Sequence, residues 1–147
     1  MKIPLLVEVA ICAAVCAGGC ASLPSGGIDA LAGTWWVLDS LGGQAATAGT
    51  DGSPLTLMFT TDGTGMAGYS GCNQYGARVA IQDDGRIVID QLYTTKMACD
   101  NLGYEWAFLD ALKKTASFRL EGDRLIFNDA AGSEVAVFQK SSPPDQL

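Results

Sequence analysis

Turn signals recur at short intervals along most of this 147-residue chain, and the stretches between them alternate apolar and polar residues. Leu55, Leu57 and Phe59, for example, are each separated by one residue, which is the period of a half-buried strand. Eighteen glycines and five prolines also suit a turn-rich β protein better than a helical bundle. The pattern therefore predicts antiparallel strands joined by tight turns, at the following sites: Asp62-Gly63, Asp83-Asp84-Gly85, Glu121-Gly122-Asp123 and Ala131-Gly132.

One segment, residues 102–115, changes to a helical period. Asp100 or Asn101 is the predicted N-cap, and Lys113 and Lys114 fall in the last turn, where the helix dipole favours them. The strands before the helix are predicted at 34–41, 55–60, 64–70, 75–82 and 86–92, and three more follow it around 118–120, 125–127 and 135–137. The apolar stripe of the helix consists of Tyr104, Phe108, Ala111 and Leu112, widened by Trp106 and Leu109.

These elements predict a mainly β (α+β) fold of about eight antiparallel strands, with one helix inserted between the fifth and sixth strands. A sheet of eight short strands removes its exposed edges by closing on itself, so a small barrel is expected. Apolar residues at the inward positions are numerous enough to fill an eight-stranded barrel. A filled interior favours a scaffold over a ligand carrier.

The residue inventory excludes several function classes. The chain contains no histidine, which excludes Ser-His-Asp and Cys-His nucleophile systems and histidine metal sites. Its net charge is −7 with no basic stretch, so a nucleic-acid partner is not expected. No phosphate-binding or dinucleotide motif and no calcium-loop spacing is present. We therefore predict no enzymatic activity, no cofactor and no metal.

The first nineteen residues have the form of a secretory signal, with Lys2, an apolar run and small residues at the end. The sequence Ala17-Gly18-Gly19-Cys20 resembles a bacterial lipobox, in which the signal is cut before a cysteine that carries the lipid. Cys20 is therefore the predicted lipidation site and membrane anchor, residues 20–30 are a tether, and Ala21 at the next position favours the outer membrane, facing the periplasm. The alternative is a plain secretory signal cut near Ala21 or Ser22.

Two cysteines, Cys72 and Cys99, remain in the mature chain besides Cys20. In an oxidising envelope compartment an even pair predicts a disulfide. The alternative is two buried thiols that never meet. A redox-active pair is disfavoured because there is no C-x-x-C motif, and a zinc site is disfavoured because two thiolates without histidine leave the coordination incomplete.

Several motifs, in order, resemble the META/HslJ domain family, which includes a heat-shock-associated lipoprotein of the bacterial envelope. The resemblance covers residues 31–140 and leaves 141–147 as a frayed tail. It implies a small, cracked antiparallel β-barrel with a helix packed on it, an association with envelope stress, and no established reaction or ligand. The motifs that carry the resemblance are Leu55-x-Leu57-x-Phe59, Gly68-Tyr69-Ser70-Gly71-Cys72-Asn73, Thr94-Thr95-x-Met97-Ala98-Cys99 and Glu105-x-x-Phe108.

Structural roles are predicted for the motif residues. Asn73 suits a tight corner after Gly71, because asparagine tolerates left-handed backbone and bonds neighbouring amides. Thr94 and Thr95 are expected to hydrogen-bond loop backbone. Met97 is expected to fill a gap under the helix. Glu105 lies in the first helical turn, where a capping role is favoured over a general base.

Trp35 and Trp36 are neighbours in a predicted strand and must face opposite sides of the sheet. One is expected in the core, and the other covers the helix or marks a contact with an envelope partner protein. The sequence therefore predicts a non-enzymatic envelope lipoprotein with a stress-related binding or scaffolding role. The alternatives are a barrel that carries a lipid or small hydrophobic ligand, and an inhibitor or pilot that binds another envelope protein through Trp35 or Trp36 and the 42–53 loop.

Overall fold

Nine antiparallel strands and two helices make up the fold in a computed structural model that describes residues 27–100 and 102–143. The predicted signal and Cys20 lie outside the described residues. The elements, in chain order, are α1 (Ile28–Leu31), β1 (Trp35–Leu41), β2 (Gln44–Ala45), β3 (Thr56–Phe59), β4 (Gly65–Tyr69), β5 (Gln74–Ile81), β6 (Ile87–Thr94), α2 (Gly103–Lys114), β7 (Thr115–Glu121), β8 (Arg124–Asp129) and β9 (Glu134–Ser141).

The strands form one sheet in the order β6-β5-β4-β3-β1-β9-β8-β7, with β2 paired to β1. All pairs are antiparallel. The two end strands, β6 and β7, approach each other through an isolated bridge between Arg86 and Ser117, and the Phe118 N–H donates to the Gly85 carbonyl at 2.8 Å. The sheet is therefore curved but not closed, which confirms the mainly β prediction and matches a cracked barrel.

The expected order of elements is confirmed, with two additions. The short helix α1 occupies Ile28–Leu31, so the end of the predicted 20–30 tether is helical. The two-residue strand β2 lies inside the predicted 42–53 loop and forms a tight hairpin with the end of β1. Leaving β2 aside, eight strands remain and α2 lies between the fifth and the sixth of them, as predicted.

Predicted turn chemistry is visible at Asp62-Gly63. The Asp62 Oδ1 atom accepts from the Thr64 N–H at 3.1 Å and the Thr60 hydroxyl at 2.6 Å. Gly63 has a φ of 70°, a left-handed conformation that suits glycine. Together these contacts fix the β3–β4 hairpin in the register that turns Leu57 and Phe59 inward.

The core fills the inside of the curved sheet with large side chains. Helix α2 inserts Phe108 and Leu112, both 0% exposed, among the inward residues of the strands. The Phe108 ring meets the Phe138 ring edge to face at a centroid distance of 6.2 Å, and Phe138 meets Phe127 at 5.3 Å. Each fully buried side chain of this size stabilises the fold by about 1.5–3 kcal/mol. The largest buried residues are Trp36, Phe59, Phe108, Phe127, Phe138, Leu31, Leu55, Leu57, Ile87, Leu112, Leu125 and Ile126.

Two details of the predicted helix are wrong. The helix begins at Gly103 with Leu102 as its N-cap, not Asp100 or Asn101, and Leu102 makes no side-chain capping bond. Trp106 does not widen the buried stripe, because its side chain is 66% exposed, and the helix instead buries Glu105. In the part of the chain that the structure describes, neither helix has the length and apolar character needed to cross a membrane.

Candidate functional site

The tight loop Ser70–Asn73 connects β4 to β5. Gly71 adopts a φ of 110°, and the Ser70 N–H donates to the Asn73 carbonyl at 2.9 Å. Asn73 itself does not have the expected left-handed backbone, since Gly71 makes the reversal next to it. The loop therefore turns back on itself and points its polar groups toward the start of α2.

Glu105 closes this loop from the helix side. The carboxylate belongs to a residue only 4% exposed, and it accepts from the Asn73 N–H at 2.9 Å and from the Asn73 side-chain amide at 2.9 Å. The Ser70 hydroxyl lies within hydrogen-bond distance of the same carboxylate and of the Asn73 carbonyl. Glu105 is therefore a link between helix and loop, and the predicted capping of its own helix is wrong.

Asn73 continues the network on its other side. Its Oδ1 atom accepts from the Met97 N–H at 2.7 Å and from the Thr95 hydroxyl at 2.9 Å. The Gln74 N–H in turn donates to the Thr95 hydroxyl oxygen at 3.1 Å, which confirms the role expected of Thr95. Within the described residues Thr94 makes no side-chain hydrogen bond and is placed by its pairing with Tyr75 in the β5–β6 ladder.

A disulfide joins the same two segments. Cys72 and Cys99 are bonded, with their Cα atoms 6.2 Å apart and a sequence separation of 27. The bond connects the β4–β5 loop to the segment that precedes α2. Together with Asn73 and Glu105 it fixes three separate pieces of chain: the loop, the 95–99 segment and the first turn of the helix.

Met97 and Trp106 are the exposed members of this constellation. Met97 is 61% exposed, so the expectation that it fills a gap under the helix is wrong. Trp106 follows the buried Glu105 and is 66% exposed. Both side chains border one surface concavity of about 350 Å³ that Leu102 and Leu109 also line, and we call these four residues the Met97–Trp106 surface.

The two predicted tryptophan environments are distinct. Trp36 is 2% exposed and belongs to the core. Trp35 points to the other side of β1, is partly buried and lines a separate groove.

The hydrogen bonds of Glu105 join the loop to the helix. Both carboxylate oxygens accept from this loop, Oε1 from the Asn73 N–H and the Ser70 hydroxyl and Oε2 from the Asn73 side-chain amide. Across residues 27–100 and 102–143, no three His, Cys, Asp or Glu side chains gather closely enough to hold a metal ion. What the arrangement does is hold a loop and a helix terminus in one fixed relation.

Sequence reasoning missed that Ser70 and Glu105 belong together. Ser70 lies inside the Gly68–Asn73 motif. Glu105 is a charged residue on the buried face of α2, where the other buried residues are apolar. A charged residue at a buried helical position was the available signal, because such a group needs partners from another element.

Comparison with known proteins assigns the family. A model of the META domain matches residues 29–142. The chain belongs to the META domain family. Membership of this family supports a stress-related protein of the envelope type. A search of curated protein sequences found no significant match.

Solved structures share the META fold. An NMR structure of a protein from Burkholderia xenovorans is 27% identical, with a TM-score of 0.61 over 79% of this chain and 87% of that one. A second NMR structure is 21% identical, with a TM-score of 0.60 over 76% and 92%. The crystal structure of a DUF4847 family protein from Bacteroides vulgatus is 16% identical, with a TM-score of 0.52 over 78% and 96%. The last two likenesses concern the fold alone.

Proposed function

We propose that this META domain is a non-enzymatic, stress-related lipoprotein of the bacterial outer membrane, anchored through Cys20 and facing the periplasm. It binds an envelope protein through the Met97–Trp106 surface. The observation that carries the proposal is the exposure of Met97 and Trp106 around one concavity, next to the Asn73–Glu105 hydrogen-bond network. Tryptophan is enriched among residues that dominate binding energies, and methionine adapts its shape to a partner.

The rigid support under this surface favours binding. The Met97 N–H is held by Asn73, and Trp106 follows Glu105, which Asn73 also holds. Side chains whose backbone is fixed in advance lose less entropy on association, so affinity is higher for the same contact area. A network that served folding alone would not need to place two large apolar side chains in water.

The alternatives receive less support. Carriage of a lipid inside the barrel requires an open interior, and the interior holds Trp36, Phe108, Phe127 and Phe138 at 2% exposure or less. An inhibitor or pilot that uses Trp36 is disfavoured by the burial of that residue. A partner protein remains part of the proposal, at a different surface from the one the sequence indicated.

Anchoring is tested by Cys20→Ala in the producing bacterium. The unmodified chain is expected in the outer-membrane fraction, and the variant in the soluble periplasmic fraction or retained with its signal uncut. An unlipidated variant that stays in the outer membrane would show that another contact anchors the chain.

Binding is tested by placing a photo-crosslinking amino acid at position 106, with position 44 on the exposed strand β2 as the matched control. We expect a discrete protein adduct from position 106 and none from position 44. Met97→Asp should remove the adduct without lowering the melting temperature. Adducts to lipid alone, or equal adducts from both positions, would contradict the proposal.

A further inference from the structure

A groove on the outside of the sheet, distinct from the Met97–Trp106 surface, lies where β1, β3 and β4 meet the 51–54 loop. Its volume is about 430 Å³, which falls within the range of small-ligand sites. Trp35, Val37, Pro54 and Tyr69 supply its apolar lining. The polar lining comes from Asp51, Ser53, Thr56, Gln74, Ser141 and Ser142.

Asp51 is the charged side chain among the residues that line this groove, and no lysine or arginine lines it. Its Oδ1 atom accepts from the Ser53 N–H at 2.9 Å and from the Tyr69 hydroxyl at 2.9 Å. These bonds orient the carboxylate beside the Tyr69 ring. Within the described part of the chain, both of these bonds fall on Oδ1.

We propose that this groove binds a small organic cation: an amine with an apolar body, whose ammonium group pairs with Asp51 while its body lies against Trp35 and Tyr69. An ammonium ion is attracted both by a carboxylate and by the faces of indole and phenol rings. The net charge of −7 favours a cation over an anion. A lone carboxylate is too few ligands for a metal ion, which leaves an organic cation as the matching class.

The Asp51 side chain is kept in its ionised form, which is the form that pairs with an ammonium group. The Ser53 backbone amide, and next the Tyr69 hydroxyl, hold the pKa of Asp51 below its ordinary value. Burial, together with the Asp51 carboxylate, raises the pKa of Tyr69, so the phenol stays protonated and donates. The loop therefore presents one negative charge beside Tyr69, in a groove that Trp35 also lines, over the neutral pH range.

The test uses ligand-observed saturation-transfer NMR on the full chain with three probes of one shape: 2-phenylethylamine, 2-phenylethanol and phenylacetate. We expect saturable binding of the amine, with the alcohol and the acid weaker by about tenfold or more. Asp51→Asn should weaken amine binding by a similar factor. The matched control is Asp62→Asn, a turn aspartate outside the groove that also accepts two hydrogen bonds, and it should leave binding unchanged.

Equal binding of amine and alcohol, an unaltered affinity in Asp51→Asn, or no saturation by the amine would each overturn the proposal. A second variant covers the case in which Asp51→Asn disturbs the 51–54 loop. Ser142→Lys places a cation at the exposed rim of the groove and should weaken amine binding by about tenfold while phenylethanol is unaffected. Because none of these residues belongs to the Met97–Trp106 surface, failure here leaves the crosslinking result of the proposed function untouched.

Discussion

At the scale of single residues, Glu105 brings its carboxyl group into a site that is 4% exposed, where hydrogen-bond donors and no lysine or arginine pair with it among the described residues. Its partners are the backbone and side-chain amides of Asn73 and the hydroxyl of Ser70. Charge-assisted hydrogen bonds of this kind are stronger than neutral ones. Position 105 therefore requires a side chain that only accepts hydrogen bonds.

Glu105→Gln tests that requirement. The substitution preserves shape but turns an NH₂ group toward donors of Asn73, so the free energy of unfolding should fall by about 1–3 kcal/mol. Urea denaturation followed by circular dichroism measures the loss. The control is Glu134→Gln, at an exposed side chain paired with Arg119 at 3.4 Å, where a change within about 0.5 kcal/mol is expected. Equal losses in both variants would contradict the role assigned to Glu105.

Tyr75 sets an alkaline limit to stability. Its hydroxyl donates to the Thr56 carbonyl at 2.9 Å, and burial raises the pKa of Tyr75 far above its ordinary value of 10.0. Above pH 10.0 the folded chain thus keeps a proton that the unfolded chain loses. The contribution of Tyr75 to the free energy of unfolding is therefore fully present below pH 10.0 and decreases as the pH rises above it.

Tyr75→Phe should lower the free energy of unfolding by about 1 kcal/mol at neutral pH, because the hydrogen bond is lost. Above about pH 10 the difference in unfolding free energy between the variant and the unmodified protein should become smaller. Unfolding free energies measured at several pH values from 7 to 11 give the difference between the two proteins. A gap that stays constant through this range would show that Tyr75 ionises in the folded state as readily as in the unfolded one.

At the scale of elements, the disulfide and the Asn73 network fasten the same segments in different ways. The covalent bond limits the unfolded chain, whereas the hydrogen bonds act in the folded state. Because Asn73 holds the 95–97 segment independently, loss of the disulfide should loosen residues 98–100 before it displaces Met97.

Cys72→Ser should lower the free energy of unfolding by about 2–4 kcal/mol under oxidising conditions and leave it nearly unchanged relative to the unmodified protein in reductant. Cys99→Ser is the matched variant and should give the same loss, with no further loss in the double variant. Urea titrations with and without reductant make the comparison. A loss of equal size in both conditions would assign the effect to packing of the Cys72 side chain.

The elements also show where sequence reasoning reaches its limit. Period-two runs revealed the strands, and a period near 3.6 revealed α2, because each has one face in the core. Strand β2 has two residues, Gln44 and Ala45, which is too few for any period. Glu105 finds its partners 32 and 35 positions away, and nothing local in the sequence indicates that pairing. Met97 was misplaced because an apolar side chain does not reveal whether its loop faces the core or water.

At the scale of the whole molecule, the open seam between β6 and β7 means that the strands differ in how many hydrogen-bonded neighbours they have. Strand β9 is hydrogen-bonded on both sides, to β1 and to β8, whereas β6 pairs with β5 on one side and meets β7 at the Arg86–Ser117 bridge. Opening β6 breaks one ladder, while opening β9 breaks two and exposes Phe138. Local unfolding should therefore begin at the seam.

Native-state hydrogen exchange tests this order. Amides of β6 that bond to β5 should exchange at least about tenfold faster than those of β9, since sub-global opening needs less free energy than global unfolding. Measurements at two protein concentrations show whether the edge of β6 is free in the single chain or covered by a second copy. Protection of β6 that equals β9 at both concentrations would mean a closed barrel in solution. Protection that rises with concentration would mean that a second copy adds its strand to the edge, as exposed sheet edges favour.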